Sequence, residues 1–187
     1  MNLRCFIAIE MSDPIKKEIG KLLDIMQKHD VDIKWVAPEN IHLTLKFLGS
    51  TPDTLLPDIR ESLSKILSSY KPFYIRIYGT GVFPNRKYPR VIWTGIIDSD
   101  ILNRMKGDIE QAMALLGFRK EDKEFNPHLT LGRVRSSKGV MNVVNELDNY
   151  KTMEFGMLHV DHIKLMKSDL KLKGAVYTCL DDIPLMK

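Results

Sequence analysis

The sequence has few of the features that mark disulfide-stabilised, zinc-binding or membrane-spanning proteins. It contains two cysteines, Cys5 and Cys179, which lie near opposite ends of the chain. Neither belongs to a Cys-x-x-Cys pair, so we expect no zinc site and no disulfide framework, and we interpret both as reduced thiols in the core. No apolar run reaches the roughly 20 residues needed to cross a bilayer, which argues against a transmembrane protein.

The first ten residues also lack the pattern of a secretory signal peptide. The apolar stretch from Met1 to Glu10 is short, has no basic start and already carries Arg4 and Glu10. It is typical of a first β-strand, and the cytoplasm is therefore the expected location.

The composition is that of a globular domain. The chain has 187 residues, of which 44% are hydrophobic and 28% charged, enough for one domain or for two small lobes around a shared core. The net charge of +4 mildly favours an anionic partner such as nucleic acid. Many proteins without such a partner are equally basic, so the charge supports this interpretation without establishing it.

The periods of the apolar residues predict a mixture of strands and helices. Strands are predicted at residues 3–9, 33–36, 41–48, 73–82, 91–97, 128–134, 158–166 and 175–180, and helices at 13–28, 54–70, 100–116 and 140–150. Because helices fall between some strands and turns between others, this order predicts an α+β fold with antiparallel or mixed sheets. No Pro-, Gly- or Ser-rich linker divides the chain, so residues 1–187 are expected to form a single bilobal domain.

One four-residue string occurs twice. The sequence His-Leu-Thr-Leu runs from His42 to Leu45 and again, 86 residues later, from His128 to Leu131. Coincidence is a poor explanation in a chain with five histidines. A period near half the chain length predicts two lobes of similar build, each contributing one copy.

The spacing within the string suits catalysis. Residues i and i+2 of a strand point to the same face, so His42 and Thr44 share one face, His128 and Thr130 do the same, and the leucines point to the core. One neutral imidazole can take a proton from water while a protonated one gives a proton to a leaving oxygen. The threonine hydroxyls can donate hydrogen bonds to phosphate oxygens. A duplicated structural repeat could preserve such strings without chemistry, but it would not be expected to keep a histidine and a threonine among apolar neighbours.

Further segments match a known family over nearly the whole chain. They are Arg4–Ile9 (RCFIAI), Trp35-Val36, His42–Gly49 (HLTLKFLG), Gly81–Pro84 (GVFP), Arg90–Trp93 (RVIW), Leu116–Phe118 (LGF) and Pro127–Val134 (PHLTLGRV). With these segments the chain resembles the two-histidine (2H) phosphoesterase superfamily. Within it, the chain is similar to the LigT-like RNA 2′,3′-cyclic phosphodiesterases, also called 2′-5′ RNA ligases.

The resemblance implies a bilobal, pseudo-symmetric fold in which each lobe has a sheet with outer helices and both motifs line a central groove. It implies hydrolysis of RNA 2′,3′-cyclic phosphate ends to 2′-phosphomonoesters, with His42 as proton donor and His128 as proton acceptor. The pseudo-symmetry of the motifs gives no independent assignment of these two roles. No carboxylate cluster or Cys/His set at metal-binding spacing accompanies the motifs, so we expect neither metal nor cofactor, RNA as the partner, and a monomer.

Two alternatives remain open at this stage. The same histidines would serve a 2′-5′ RNA ligase, because ligation reverses opening at the same phosphate, or a phosphodiesterase for small cyclic nucleotides. The second alternative is an RNA-binding module without catalysis, which the presence of both histidines and both threonines disfavours.

The residues that follow the motifs have two possible roles each, which depend on the face of the strand that they occupy. Strict alternation puts Arg133 on the face opposite His128, unless the strand bends after Gly132, so phosphate binding and a surface role are equally compatible. The same rule puts Lys46 on the His42 face, at a rim where it contacts RNA or only solvent. It puts Phe47 on the leucine face, in the core.

Two other segments have both a functional and an ordinary interpretation. The aromatic and basic loop 83–90 is either an RNA contact or a hairpin connection. His159 and His162 are close enough in sequence to suggest a metal site. Positions i and i+3 of one strand point to opposite faces, however, which disfavours a shared metal.

Overall fold

The computed structural model describes residues 1–97, 100–122, 124–171 and 174–186. The described part contains nine strands: β1 (Asn2–Glu10), β2 (Ile33–Trp35), β3 (His42–Pro52), β4 (Phe73–Phe83), β5 (Val91–Ile97), β6 (His128–Val134), β7 (Glu154–Val160), β8 (His162–Lys171) and β9 (Gly174–Pro184). It also contains four helices: α1 (Asp13–Met26), α2 (Leu56–Leu67), α3 (Asp100–Leu115) and α4 (Val140–Leu147). The predicted α+β class is confirmed.

The strands form one antiparallel sheet in the order β7-β4-β5-β6-β3-β1-β8-β9, and β2 adds to β6. The two strands that carry the repeated string, β3 and β6, are neighbours in the middle, with three strands on either side. The two copies of the string therefore meet at the centre of one continuous sheet. The halves of this sheet do not coincide with the halves of the chain, because β4 and β5 lie on the β6 side and the hairpin of β8 and β9 lies on the β3 side.

The core lies on the leucine side of the central strands. The leucines of both strings have exposed fractions of 1% or less, and they join the same hydrophobic cluster as the inward faces of the four helices. Burial of each such side chain stabilises the fold by about 1.5–3 kcal/mol. The polar face of β3 and β6 is thereby turned away from the core.

Several predicted boundaries differ from the structure, and two of the differences have a clear physical cause. The single strand predicted at 158–166 is in fact two strands of a hairpin, because β7 ends at Val160 and β8 begins at His162. Apolar residues continue through the one-residue turn, so their spacing does not reveal where one strand ends and the next begins. Gly49 does not end β3, which continues to Pro52. Gly49 has a φ of +70° and lies beside an irregular stretch of the pairing with β1, which glycine accommodates without strain. The turn predicted at 171–174 includes residues 172 and 173, which lie outside the described residues.

The cysteines and the helices bear on two further expectations. Both cysteines are free; Cys5 is buried as predicted, whereas Cys179 is exposed on β9, so its assignment to the core is wrong. Among the described residues, no helix is long and apolar enough to cross a membrane.

Candidate active site

A single pair of backbone partners brings the two motifs together. Leu43 of β3 and Leu129 of β6 are direct antiparallel partners. In this register His42 lies opposite Thr130, and Thr44 lies opposite His128, all on the face away from the core. Diagonal neighbours across such a pair are about 7–8 Å apart, which leaves room for one phosphoryl group between the two imidazoles.

The imidazoles are oriented by the same contact in both halves. His42 Nδ1 is 2.8 Å from the backbone oxygen of Asn40, and His128 Nδ1 is 2.7 Å from that of Asn126. A carbonyl oxygen only accepts, so Nδ1 carries a proton in each ring. The atom that can gain or lose a proton is therefore Nε2 in both histidines.

His42 lies in an aromatic enclosure. Its ring centroid is 4.8 Å from that of Phe6 and 5.1 Å from that of Tyr177, edge to face. Its Nε2 is 3.1 Å from the Thr44 hydroxyl, which donates when the ring is neutral. Burial lowers the pKa of His42, and the Asn40 carbonyl and the Glu10 carboxylate oppose this shift only in part.

Glu10 is the charged group directly opposite His42 in the β1–β3 pair. Its carboxylate accepts hydrogen bonds from Lys164 and from Lys16, the latter at 2.9 Å. These two hydrogen bonds, Lys164 first, hold the pKa of Glu10 below its usual range. The carboxylate is therefore ionised at neutral pH and favours the protonated form of the neighbouring His42.

His128 has its own aromatic neighbours. Its ring stands edge to face with Phe83, with centroids 5.0 Å apart, and Phe83 in turn contacts Trp93 at 5.0 Å. The indole of Trp93 lies close over Gly81, where a Cβ would come within 2.3 Å of the ring. Each histidine thus has aromatic neighbours from its own half of the sheet: His42 contacts two rings, and His128 contacts Phe83, which Trp93 supports.

A β-bulge at the last leucine of each motif changes the face of the residues that follow. Leu45 is an extra residue of β3 against β1, and Leu131 is an extra residue of β6 against β5. Alternation restarts after a bulge, so Arg133 is exposed on the groove face, in place of the opposite face expected from strict alternation. Burial raises the pKa of Tyr177, and the positive charges of Arg133 and Arg4 partly offset this shift.

The bulge in β3 overturns two predictions. Phe47, predicted to be in the core, has 59% of its surface exposed and lies 6.3 Å from Phe6 between ring centroids. Lys46, predicted at the groove rim, is completely buried. Both errors follow from counting alternation through Leu45 without the extra residue.

Lys46 is the centre of a buried ion network. Its Nζ is 2.7 Å from Glu110 Oε2 and 3.0 Å from the backbone oxygen of Arg119. Lys106 also pairs with Glu110 and lies 3.1 Å from Glu121. The network ties β3 to α3 and to the segment that leads into β6 and His128.

The loop 83–90 connects β4 to β5, and one of its two arginines, Arg86, is held by hydrogen bonds within the protein. Arg86 makes hydrogen bonds of 2.7 Å to Asp148 and to Asn145, which anchor the loop to α4 and its end. Lys87 and Tyr88 are exposed at the tip. An RNA contact from Arg86 is therefore not available without breaking these bonds.

His159 and His162 do not lie on one strand as predicted, but on either side of the β7–β8 turn. Both Nδ1 atoms face the carboxylate of Asp161, at 3.9 Å and 2.9 Å. In the described part of the chain, no group of three or more His, Cys, Asp or Glu side chains is placed to hold a metal ion.

Sequence reasoning missed the groups that orient and enclose the histidines. The oxygens that bind Nδ1 belong to Asn40 and Asn126, and both asparagines precede their histidine by two residues. The repeat thus extends to Asn-x-His-Leu-Thr-Leu, a signal that was available in the sequence. The positions of Phe6 and Tyr177 beside His42 depend on the strand order, which no local pattern reveals.

Comparison with known proteins identifies the family of this chain. The family model described as LigT-like phosphoesterase matches residues 9–93 and 97–177. A protein of Methanothermobacter thermautotrophicus named RNA 2′,3′-cyclic phosphodiesterase is 31% identical over 97% of this chain and 98% of its own length. A Methanocaldococcus jannaschii protein of the same name is 36% identical over 96% and 99%.

Solved structures show the same fold. The crystal structure of a Thermus thermophilus protein, TT0787, superposes with a TM-score of 0.83 at 28% identity and covers 98% of both chains. Escherichia coli LigT complexed with 3′-AMP gives a TM-score of 0.75 over the full length of both chains, and at 22% identity it supports the fold alone. From the family match over most of its length and from these relatives, the chain belongs to the LigT-like phosphoesterase family.

Proposed function

We propose that this chain is an RNA 2′,3′-cyclic phosphodiesterase that opens the cyclic phosphate to a 2′-phosphomonoester. The observation that carries the proposal is the matched orientation of the two imidazoles. In each ring Nδ1 is bound to the carbonyl two residues before it, which leaves proton exchange to Nε2. Relatives of nearly the same length carry this name at 31% and 36% identity.

The reaction requires one proton to be taken and one to be given. Nε2 of His128 removes a proton from the attacking water, and the water oxygen bonds to phosphorus. The bond from phosphorus to the 3′ oxygen breaks, and Nε2 of His42 supplies the proton that this oxygen needs. The 2′ oxygen keeps the phosphate, and the proton count is restored when the two histidines exchange protons with solvent.

Thr44, Thr130 and Arg133 complete the site in this proposal. The hydroxyls donate hydrogen bonds to the non-bridging oxygens, where negative charge gathers during attack. Thr44 donates to His42 Nε2 in the free protein, and it becomes free to turn toward the phosphate once that nitrogen is protonated. Arg133 adds a fixed positive charge on the groove face.

The assignment of His42 as the acid depends on the bound phosphate. Burial lowers the pKa of His42, so the free protein favours the neutral ring. A phosphate anion next to Nε2 favours the protonated ring, as Glu10 already does from the other side. Substrate binding thereby charges the acid, whereas His128 must remain neutral to act as the base.

The same site suits a 2′-5′ RNA ligase, since ligation is the reverse attack at the same phosphorus. Both motif strands belong to one chain, so a monomer is sufficient for either reaction. A cytoplasmic location fits an RNA substrate, and no metal or cofactor enters the steps above.

The test is incubation of the purified protein, with EDTA, on an oligoribonucleotide that ends in a 2′,3′-cyclic phosphate. The proposal expects conversion to a 2′-phosphate end. A 3′-phosphate end would reverse the leaving-group assignment, and a joined product in the presence of a 5′-hydroxyl RNA would favour the ligase. Activity that disappears in EDTA and returns with a divalent ion would contradict the metal-free mechanism.

A further inference from the structure

Beyond the catalytic groups, two cations face each other next to the groove. Lys34 of β2 and Arg133 of β6 are direct partners in an antiparallel pair, so their side chains leave the sheet on the same face. Both are exposed. Among the described residues, neither takes part in an ion pair, whereas cations elsewhere on the sheet, such as Lys164 and Lys167, do.

This arrangement is unfavourable in the absence of a ligand. Like charges directly opposite each other in a sheet destabilise the pair, and no carboxylate among the described residues forms an ion pair with either side chain. Asp32, two residues before Lys34, is exposed and forms no ion pair with a described residue. An anion bound over Lys34 and Arg133 would relieve the repulsion.

The pair lies on a continuation of the catalytic groove. Along one edge of β6, β3 pairs at Leu129 and β2 pairs from Gly132 to Val134. The groove floor therefore runs from Thr130 to Arg133 and across to Lys34. Three residues of strand span about 10 Å, so a ligand that contacts both Thr130 and Lys34 must be longer than one phosphate.

The geometry points to Lys34 as the contact for the first phosphodiester upstream of the cyclic phosphate, which makes the site specific for oligoribonucleotides over single nucleotides. This inference rests on the proposed function. Arg133 lies between the two phosphates, and Lys34 acts only on a substrate that carries the second one.

The experiment compares two substrates. Adenosine 2′,3′-cyclic phosphate has no upstream phosphate, and the dinucleotide that ends in the same cyclic phosphate has one. For Lys34→Ala we expect the ratio of KM for the dinucleotide to KM for the mononucleotide to rise about 3- to 10-fold, as suits one charge-assisted contact at an exposed site. Lys34→Arg should keep the wild-type ratio, and Lys65→Ala on the outer face of α2 is the matched control.

Salt dependence gives a second readout. Loss of one phosphate contact should make the slope of log affinity against log salt less steep for the dinucleotide. An unchanged KM ratio and an unchanged slope in Lys34→Ala would overturn the inference. If the wild-type protein hydrolyses neither substrate, the proposed function fails. Binding of a labelled hexaribonucleotide then decides the role of Lys34. Equal affinity of Lys34→Ala and Lys65→Ala for this RNA would refute that role.

Discussion

Leu43 and Leu129 are direct backbone partners at the centre of the sheet, and this one pairing places two histidines and two threonines on the same surface. The leucines are buried on the other side, so the register of the central strands cannot slip by one residue without moving the polar groups into the core. The stability of the core and the geometry of the site therefore depend on the same contact.

The threonine hydroxyls should each contribute one hydrogen bond to the phosphate. Thr44→Val and Thr130→Val, which keep the shape and lose the hydroxyl, should lower kcat/KM about 10- to 100-fold. Thr44→Ser and Thr130→Ser should stay near wild type. Steady-state kinetics on a cyclic-phosphate oligonucleotide measures the effect, and valine variants as active as the serine variants would show that the hydroxyls do not act.

The two proton-transfer roles can be separated with a better leaving group. In a cyclic phosphorothiolate with sulfur in place of the 3′ bridging oxygen, the leaving thiolate needs no proton, because thiols have a pKa near about 8.5. His42→Ala should recover much of its rate on this substrate, and His128→Ala should not. The opposite pattern would reverse the acid and base assignments.

Glu10 should control the charge of His42. The Glu10→Gln variant removes a carboxylate that favours protonated His42, so the pKa of His42 should fall further. If His42 is the acid, a smaller protonated fraction moves the basic limb of the rate profile to lower pH. NMR titration of the His42 ring, with Glu61→Gln as control, checks the sign, and a His42 pKa that is unchanged or raised would be inconsistent with this role.

The buried ion network should make stability depend on pH. Burial raises the pKa of Glu110, but hydrogen bonds from Lys106 and Lys46 outweigh this and lower it. A lowered carboxyl pKa contributes stability above about pH 4.5 that is lost as pH falls through the folded value. Glu110→Gln should therefore destabilise the protein by about 3 kcal/mol at pH 7, with a smaller difference from wild type at pH 4.

The control for this effect is Glu18→Gln, which removes an exposed pair with Lys21 and should cost less than about 1 kcal/mol. Urea unfolding at both pH values gives the comparison. Equal stability of the two variants at pH 7 would contradict a structural role for Glu110.

Period-two alternation and the repeated string are visible within a few residues, so the sequence alone predicted the fold class and the strands that carry His42 and His128. It failed at Lys46 and Phe47, since a bulge is set by pairing with a distant strand. The contact of Tyr177 with His42 depends on the tertiary arrangement of β9 and β3, which the residues next to either one in the sequence do not indicate. The carbonyls of Asn40 and Asn126 could have been found from the longer repeat.

In the proposed mechanism, His42 and His128 act together on one phosphate. The most direct test measures turnover of a cyclic-phosphate oligoribonucleotide, in EDTA, by His42→Ala, His128→Ala and the double variant, with folding checked by circular dichroism. Each single variant should lose about 10²- to 10⁴-fold in turnover, and the double variant should be barely worse than either, because both groups serve one step. Single variants that fold and turn over at the wild-type rate would contradict the account.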